Sequence, residues 1–242
     1  MKYLLGALCA CAMATVYPAL ASASAHEGMG NVDNGRKIFQ EGKGDAVPAC
    51  QSCHGMDGLG NDDMGTPRLA YQVDTYVLKQ LKDFAADKRT DNTMSVMNDI
   101  AKSLLEQDKK DLAAFVYTLK TPFMGSDLDT LRENDVEVGK PYKGAEIVHY
   151  GLPDHGVPAC QSCHGYNGRS VGRMYPAIGG QRYQYIVNQL TAFRAGERTN
   201  DYKSQMQKVA QHLTDDDIQN AAAFLTGAKP VSSGNPRAPE HM

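Results

Sequence analysis

The sequence predicts an all-α protein made of two similar domains in tandem. Three observations carry this. The nine residues VPACQSCHG stand at 47–55 and return unchanged at 157–165. The likeness extends well outside them. Gly35, Ile38 and Gly42 match Gly144, Ile147 and Gly151 at an offset of 109, and Pro67, Gln72, Gln80 and Phe84 match Pro176, Gln181, Gln189 and Phe193 at the same offset. Finally, apolar residues recur at helical spacing, and no stretch shows the alternation of a half-buried strand. Two copies of about 90 residues, each with one motif, read as a duplicated domain.

Taken in order, residues 1–25 read as a secretory signal. Met1 and Lys2 give a short basic start, YLLGALCACAMATVYPAL an apolar core, and Ala23-Ser24-Ala25 a cleavage site of small residues. The expected mature chain begins near His26 and works in the periplasm; a retained N-terminal anchor is the rival reading. The first domain spans 26–120, and its first helix covers Asp33 to Glu41. Val77, Leu81 and Phe84 share one face of the next helix, as Ile186, Leu190 and Phe193 do in the second copy. The last helix runs from Asp108 to Leu119 and, in the second copy, from Asp215 to Leu225. There Thr214 stands as N-cap with Asp217 three residues on. Residues 121–141 are rich in acids and poor in apolar groups, and read as a linker. The second domain spans 142–227 and opens with a helix from Gly144 to Tyr150. The tail, 228–242, has the polar, Pro- and Ser-containing composition of a disordered segment.

Charge and cysteine usage narrow the chemistry. The formal net charge is −3, with no basic run, so nucleic acid is not an expected partner. Apart from Cys9 and Cys11 in the signal, the only cysteines are Cys50, Cys53, Cys160 and Cys163, all inside the repeated motif. That leaves none for a structural disulfide elsewhere. C-x-x-C-H is the attachment signal for c-type haem: the two thiols become thioethers, and the adjacent histidine binds the iron from below. Cys50, Cys53 and His54 are thus assigned to one covalently attached haem c, and Cys160, Cys163 and His164 to a second. A four-cysteine zinc site leaves both histidines unexplained, and a thioredoxin-like redox pair wants a βαβ context that is missing. Export agrees with haem attachment, which takes place outside the cytoplasm. The chain has no Trp, and a buried haem would complete two otherwise meagre cores.

The sixth ligand decides between an electron carrier and an enzyme. Methionine closes the iron and raises its potential, whereas an open site permits ligand chemistry. The first copy offers Met56, Met64, Met94, Met97 and Met124. Met56 and Met64 follow His54 too closely to cross to the far face, and Met94 aligns with Lys203. Met97 aligns with Met206, and the two follow their histidines by 43 and 42 residues, so this pair is the expected ligand set. Pro67 and Pro176 follow the histidines by 13 and 12 residues and are read as carbonyl acceptors for histidine Nδ1–H. Arg89 and Arg198 are read as partners of a haem propionate, with solvated arginine as the competing reading. His26, His149, His155, His212 and His241 read as surface residues.

These residues resemble the dihaem cytochrome c4 family. The resemblance rests on CQSCHG in each half, on GQRYQYIVNQLTAFRAGERTND at 180–201, and on the methionine just ahead of IAKSL or VAQHL. It covers nearly all of the mature chain and implies two class I cytochrome c domains, each wrapped around one haem. It also implies His–Met ligation at both irons, a pseudo-twofold domain pair with the haems close together, and a periplasmic carrier between a respiratory donor complex and a terminal oxidase. Peripheral association with the inner membrane fits such a role. LAYQ at 69–72 departs from the family, which favours glycine before the glutamine, as at Gly180 here. The linker is long and acidic for the family.

Two rival functions belong to other classes. One is the cytochrome subunit of a complex like flavocytochrome c sulfide dehydrogenase, which shares the tandem design. The other is a dihaem enzyme, such as a peroxidase or a thiosulfate dehydrogenase. The matched methionines argue against the first of these enzymes, and the lack of a spare cysteine ligand against the second. The loops after the motifs differ in charge. Asp57, Asp62 and Asp63 follow the first, and Arg169 and Arg173 the second. On that ground the second haem is expected to have the higher potential.

Overall fold

In the computed structural model, residues 30–90, 96–121 and 124–229 are described. The expected signal, nearly all of the expected tail, His26, His241 and Met94 lie outside them. The described residues form helices and turns; the only β features are isolated bridges, such as Lys43 with Val47 and Leu152 with Val157.

The first domain contains α1 (Val32–Glu41), α2 (Gln51–His54), α3 (Asp74–Ala85), α4 (Val96–Ser103) and α5 (Glu106–Thr118). The second repeats this order as α7 (Pro141–Tyr150), α8 (Gln161–His164), α9 (Tyr183–Ala195), α10 (Gln205–Ala210) and α11 (Asp215–Gly227). Between them lies α6 (Leu128–Glu133). Local chemistry sets the ends. Asn31 caps α1 by accepting from Asp33 N and Asn34 N. Pro141 opens α7, where its missing N–H removes no helical bond. Thr214 and Asp217 form the expected capping box on α11.

In each domain the first and last helices cross at close range. A Cβ on Gly35 would stand 2.0 Å from Asp111 O, and one on Gly144 would stand 1.8 Å from Asn220 O. Only glycine permits this approach of α1 to α5 and of α7 to α11. Around the first crossing pack Ile38, Phe39, Val77, Leu81, Leu112 and Phe115. Around the second pack Val148, Tyr183, Ile186, Ala222 and Leu225.

The stretch 121–141, a linker by composition, is largely a piece of the second domain. Asp127 caps α6 by accepting from Asp129 N and Thr130 N. Leu131 is buried in the second core, with Leu128, Val136 and Val138 packed against it. The Tyr183 hydroxyl donates to Glu137 O at 2.8 Å, tying the segment's end to α9. The acids dominate the composition, but a few spaced apolar residues decide the packing. Among the described residues no helix is long and apolar enough to cross a membrane.

Candidate haem sites

Each motif forms one short helical turn, α2 or α8, entered from a cysteine in helical conformation: Cys50 at φ −60°, ψ −33° and Cys160 at φ −57°, ψ −37°. Positions i, i+3 and i+4 lie on one helix face, so Cys50, Cys53 and His54 share a side, as do Cys160, Cys163 and His164. None of the four cysteines is paired in a disulfide. Burial pushes the Cys50 and Cys160 thiols up to about 11.

The two histidines are buried and held alike. His54 Nδ1 lies 3.1 Å from Pro67 O, and His164 Nδ1 lies 2.9 Å from Pro176 O. With a carbonyl accepting, Nδ1 carries the proton and Nε2 keeps its lone pair. Burial lowers the pKa of both rings, with the proline carbonyls acting the other way. A neutral imidazole with a fixed ring and a free Nε2 lone pair is the form a metal takes.

Met97 lies in α4 and Met206 in α10, at positions one repeat apart. Both are partly buried, and Met97 packs against the first core. Met206 N donates to Asp201 Oδ2 at 2.7 Å, which anchors the start of its helix. Met56, Met64 and Met124 stand 77%, 45% and 59% exposed. His155 and His212 are exposed, but His149 differs from its surface reading. Its ring lies half-buried, 5.4 Å from the Tyr166 ring and 5.3 Å from that of Phe224.

Arg89 and Arg198 are each only 6% exposed, so the solvated reading fails. Both lie in the seam between the domains. Arg89 donates to Gln80 Oε1 at 2.7 Å within its own domain and, across the seam, to Tyr185 Oη and Gln189 Oε1, both at 2.9 Å. Arg198 mirrors this, donating to Gln189 Oε1 at 2.6 Å, to Tyr76 Oη at 3.0 Å and to Gln80 Oε1 at 3.2 Å. Each guanidinium stacks on a phenylalanine, Phe84 or Phe193. Among the described residues neither has a carboxylate partner, and Arg89 Nε is buried with no acceptor. Idle buried donors of this kind suit the carboxylates of haem propionates. With the thiol and imidazole set on α2 and α8, the residues present fit two haem groups.

The glutamines of this seam had no function assigned from sequence alone, though they repeat at the same offset as the prolines. Gln72 and Gln181 bridge the domains through Ala177 and Arg68, and Gln80 and Gln189 are shared by both arginines. Charges also cross the seam. Arg173 pairs with Asp74, and Arg182 Nη1 lies 3.7 Å from Asp62 Oδ2. Each loop therefore has a charge partly offset by a residue of the opposite domain outside the other loop, which weakens the argument from loop charge to the order of potentials.

The Cytochrome c family model matches residues 32–120 and 156–229. A thiosulfate dehydrogenase electron acceptor of Stutzerimonas stutzeri is 32% identical over 202 residues, 83% of this chain and 89% of that protein. Cytochrome c4 of Pseudomonas aeruginosa is 32% identical over 180 residues, 74% of this chain and 83% of that protein. Among solved structures, reduced cytochrome c4 from Pseudomonas stutzeri matches with TM-score 0.65 and 29% identity, over 83% of this chain and all of that one. Thiosulfate dehydrogenase (TsdBA) from Marichromatium purpuratum matches with TM-score 0.73 and 26% identity, over 86% of this chain but only 44% of that one. The two motifs, the two matching helical domains and these relatives agree: the chain belongs to the dihaem cytochrome c4 family, an electron carrier with two covalently attached haem c groups.

Proposed function

We propose that this carrier works in the periplasm, accepting electrons one at a time from a respiratory donor and delivering them to a terminal oxidase. His54 and His164 would hold the two irons through Nε2, and Met97 and Met206 would supply the sulfur ligands. Pro67 and Pro176 hold the histidine rings in place. Arg89 and Arg198 take propionates in the seam. Each haem, when bound, would supply a one-electron couple, with one histidine and one methionine of this chain to hold its iron. The observation that supports this reading is the matched placement of Met97 and Met206 in α4 and α10, one repeat apart. Neither site then differs in the way an enzyme needs, with one haem left open for substrate.

A second reading concerns the donor alone. A relative named as a thiosulfate dehydrogenase electron acceptor favours electrons from thiosulfate oxidation. Stopped-flow mixing tests both. Oxidised protein is mixed separately with a purified quinol-oxidising complex and with a thiosulfate dehydrogenase, and reduced protein with oxidase-containing membranes. Rapid oxidation by the membranes supports the carrier role, and the faster donor chooses between the readings. Failure to be oxidised by the membranes contradicts delivery to an oxidase.

A further inference from the structure

The seam contains a third buried guanidinium, and the repeat does not duplicate it. Arg68 is 2% exposed, and its counterpart one repeat later is Ala177. It directly follows Pro67, the residue whose carbonyl holds His54. Gln181 fixes its backbone from the other domain, accepting from Arg68 N at 2.6 Å and donating to Arg68 O at 3.0 Å. Arg68 Nη2 donates to Gly179 O at 2.6 Å, but Nε and Nη1 are buried with no partner.

A buried guanidinium with two idle donors and no counter-ion is strongly unfavourable. Among the described residues, the charged and titratable groups that act on it are Tyr71, Lys120 and Arg182, none of them a carboxylate. Burial pushes Arg68 down to about 10; Tyr71 opposes this and the Arg182 charge adds to it. Lys120 is lowered too, by burial and then by Arg68. The Tyr71 ring lies against both cations, 5.9 Å from Arg68 Cζ and 5.1 Å from Lys120 Nζ. It does so from φ +62°, a region unfavourable for tyrosine, where the matching residue is Gly180 at φ +74°. The chain thus tolerates backbone strain to keep an aromatic ring over an uncompensated positive site.

Such a site is complete only with an anion. A diffusible anion would have to enter through a seam that Gln72 and Gln181 hold shut, whereas a covalently attached haem is already in place when the domains close. We propose that Arg68 is a propionate anchor of the first haem: Nε and Nη1 take a carboxylate of the group attached at Cys50 and Cys53, a contact the second domain lacks. The inference rests on the two-haem reading above. Reduction removes one positive charge from an iron, so a fixed cation beside it favours the reduced state. Arg68 therefore biases chiefly the first haem towards reduction.

The test is an optical redox titration of full-length holoprotein carrying Arg68→Ala, Arg68→Gln or Arg68→Lys. Ala177 shows that this fold accepts alanine at the matching position, and Arg68→Gln carries the test if Arg68→Ala does not load haem. Met206→Ala serves separately to mark the second haem. At a fixed ambient potential, Arg68→Ala and Arg68→Gln should each lower the reduced-to-oxidised ratio of the first haem about tenfold, a fall of about 59 mV. The second haem should move less than about threefold, and Arg68→Lys should restore most of the loss. An unchanged first haem in folded, low-spin protein overturns the proposal, as does a shift confined to the second haem. Loss of low-spin spectra in the unsubstituted protein would instead strike the ligation reading, so the two failures are distinguishable.

Discussion

Gln72 of the first domain holds both backbone polar groups of Ala177 in the second. Its Nε2 donates to Ala177 O at 3.0 Å, and its Oε1 accepts from Ala177 N at 2.9 Å. Gln181 does the same to Arg68, one repeat away. Ala177 and Arg68 directly follow Pro176 and Pro67, whose carbonyls hold the histidines. Each histidine-holding loop is therefore clamped by the opposite domain. The seam is part of both sites rather than a boundary between them.

Gln72→Ala should expose the importance of this clamp. It leaves a buried N–H and a buried C=O without partners, at about 1–3 kcal/mol for each unsatisfied group. Denaturant unfolding of the holoprotein should show a loss of about 2–6 kcal/mol. A loss below about 0.5 kcal/mol would mean that water replaces the amide and the clamp is incidental.

Met97→Ala and Met206→Ala should each affect one haem only. The altered haem should become high-spin or take a substitute ligand, and its potential should fall. Paired visible and near-infrared spectra check this. If Met94→Ala produces the effect and Met97→Ala does not, the ligand of the first haem is misassigned.

At position 71 the backbone, rather than the ring, sets the difference between two truncations. Both Tyr71→Gly and Tyr71→Ala remove the ring over Arg68 and Lys120. Only glycine is at ease at φ +62°, so Tyr71→Gly should be more stable than Tyr71→Ala by about 1 kcal/mol. Equal stabilities in thermal unfolding would show that the loop relaxes and stores no strain.

The loop charges act more weakly than their count suggests, because Arg173 is paired with Asp74. Arg169→Asp should still lower the potential of the second haem. A unit charge about 10 Å away at an effective dielectric of about 20 is worth roughly 1.7 kcal/mol, and exposure leaves about a fifth of it. The two-unit reversal should therefore shift the potential down by about 30 mV at low salt, and by less at high salt. A titration in which only the first haem moves would end this account.

The duplication made most of this readable. A nine-residue identity located both haem motifs, and the shared offset paired Pro67 with Pro176 and Met97 with Met206. The main helices followed from periodicity and capping, as at Thr214. What stayed hidden depended on contacts between the copies. Arg89 reads equally as a solvated cation until Gln189 and Tyr185 arrive from the other domain. Helices α4 and α10 are too short for a periodic signal to stand out. α6 was hidden because its acids outweigh Leu128 and Leu131 in composition, although those two residues set its packing. The burial of Arg68 is invisible locally; the hint was the unusual tyrosine beside it.

The measurement that tests the central claim most directly is a redox titration of the intact protein, followed in the visible and near-infrared, with haem content determined on the same sample. The account predicts two haems per chain, two one-electron steps, and low-spin spectra with the methionine-to-iron band present for both oxidised haems. One haem per chain, a high-spin component, or a methionine band accounting for only one haem would contradict it.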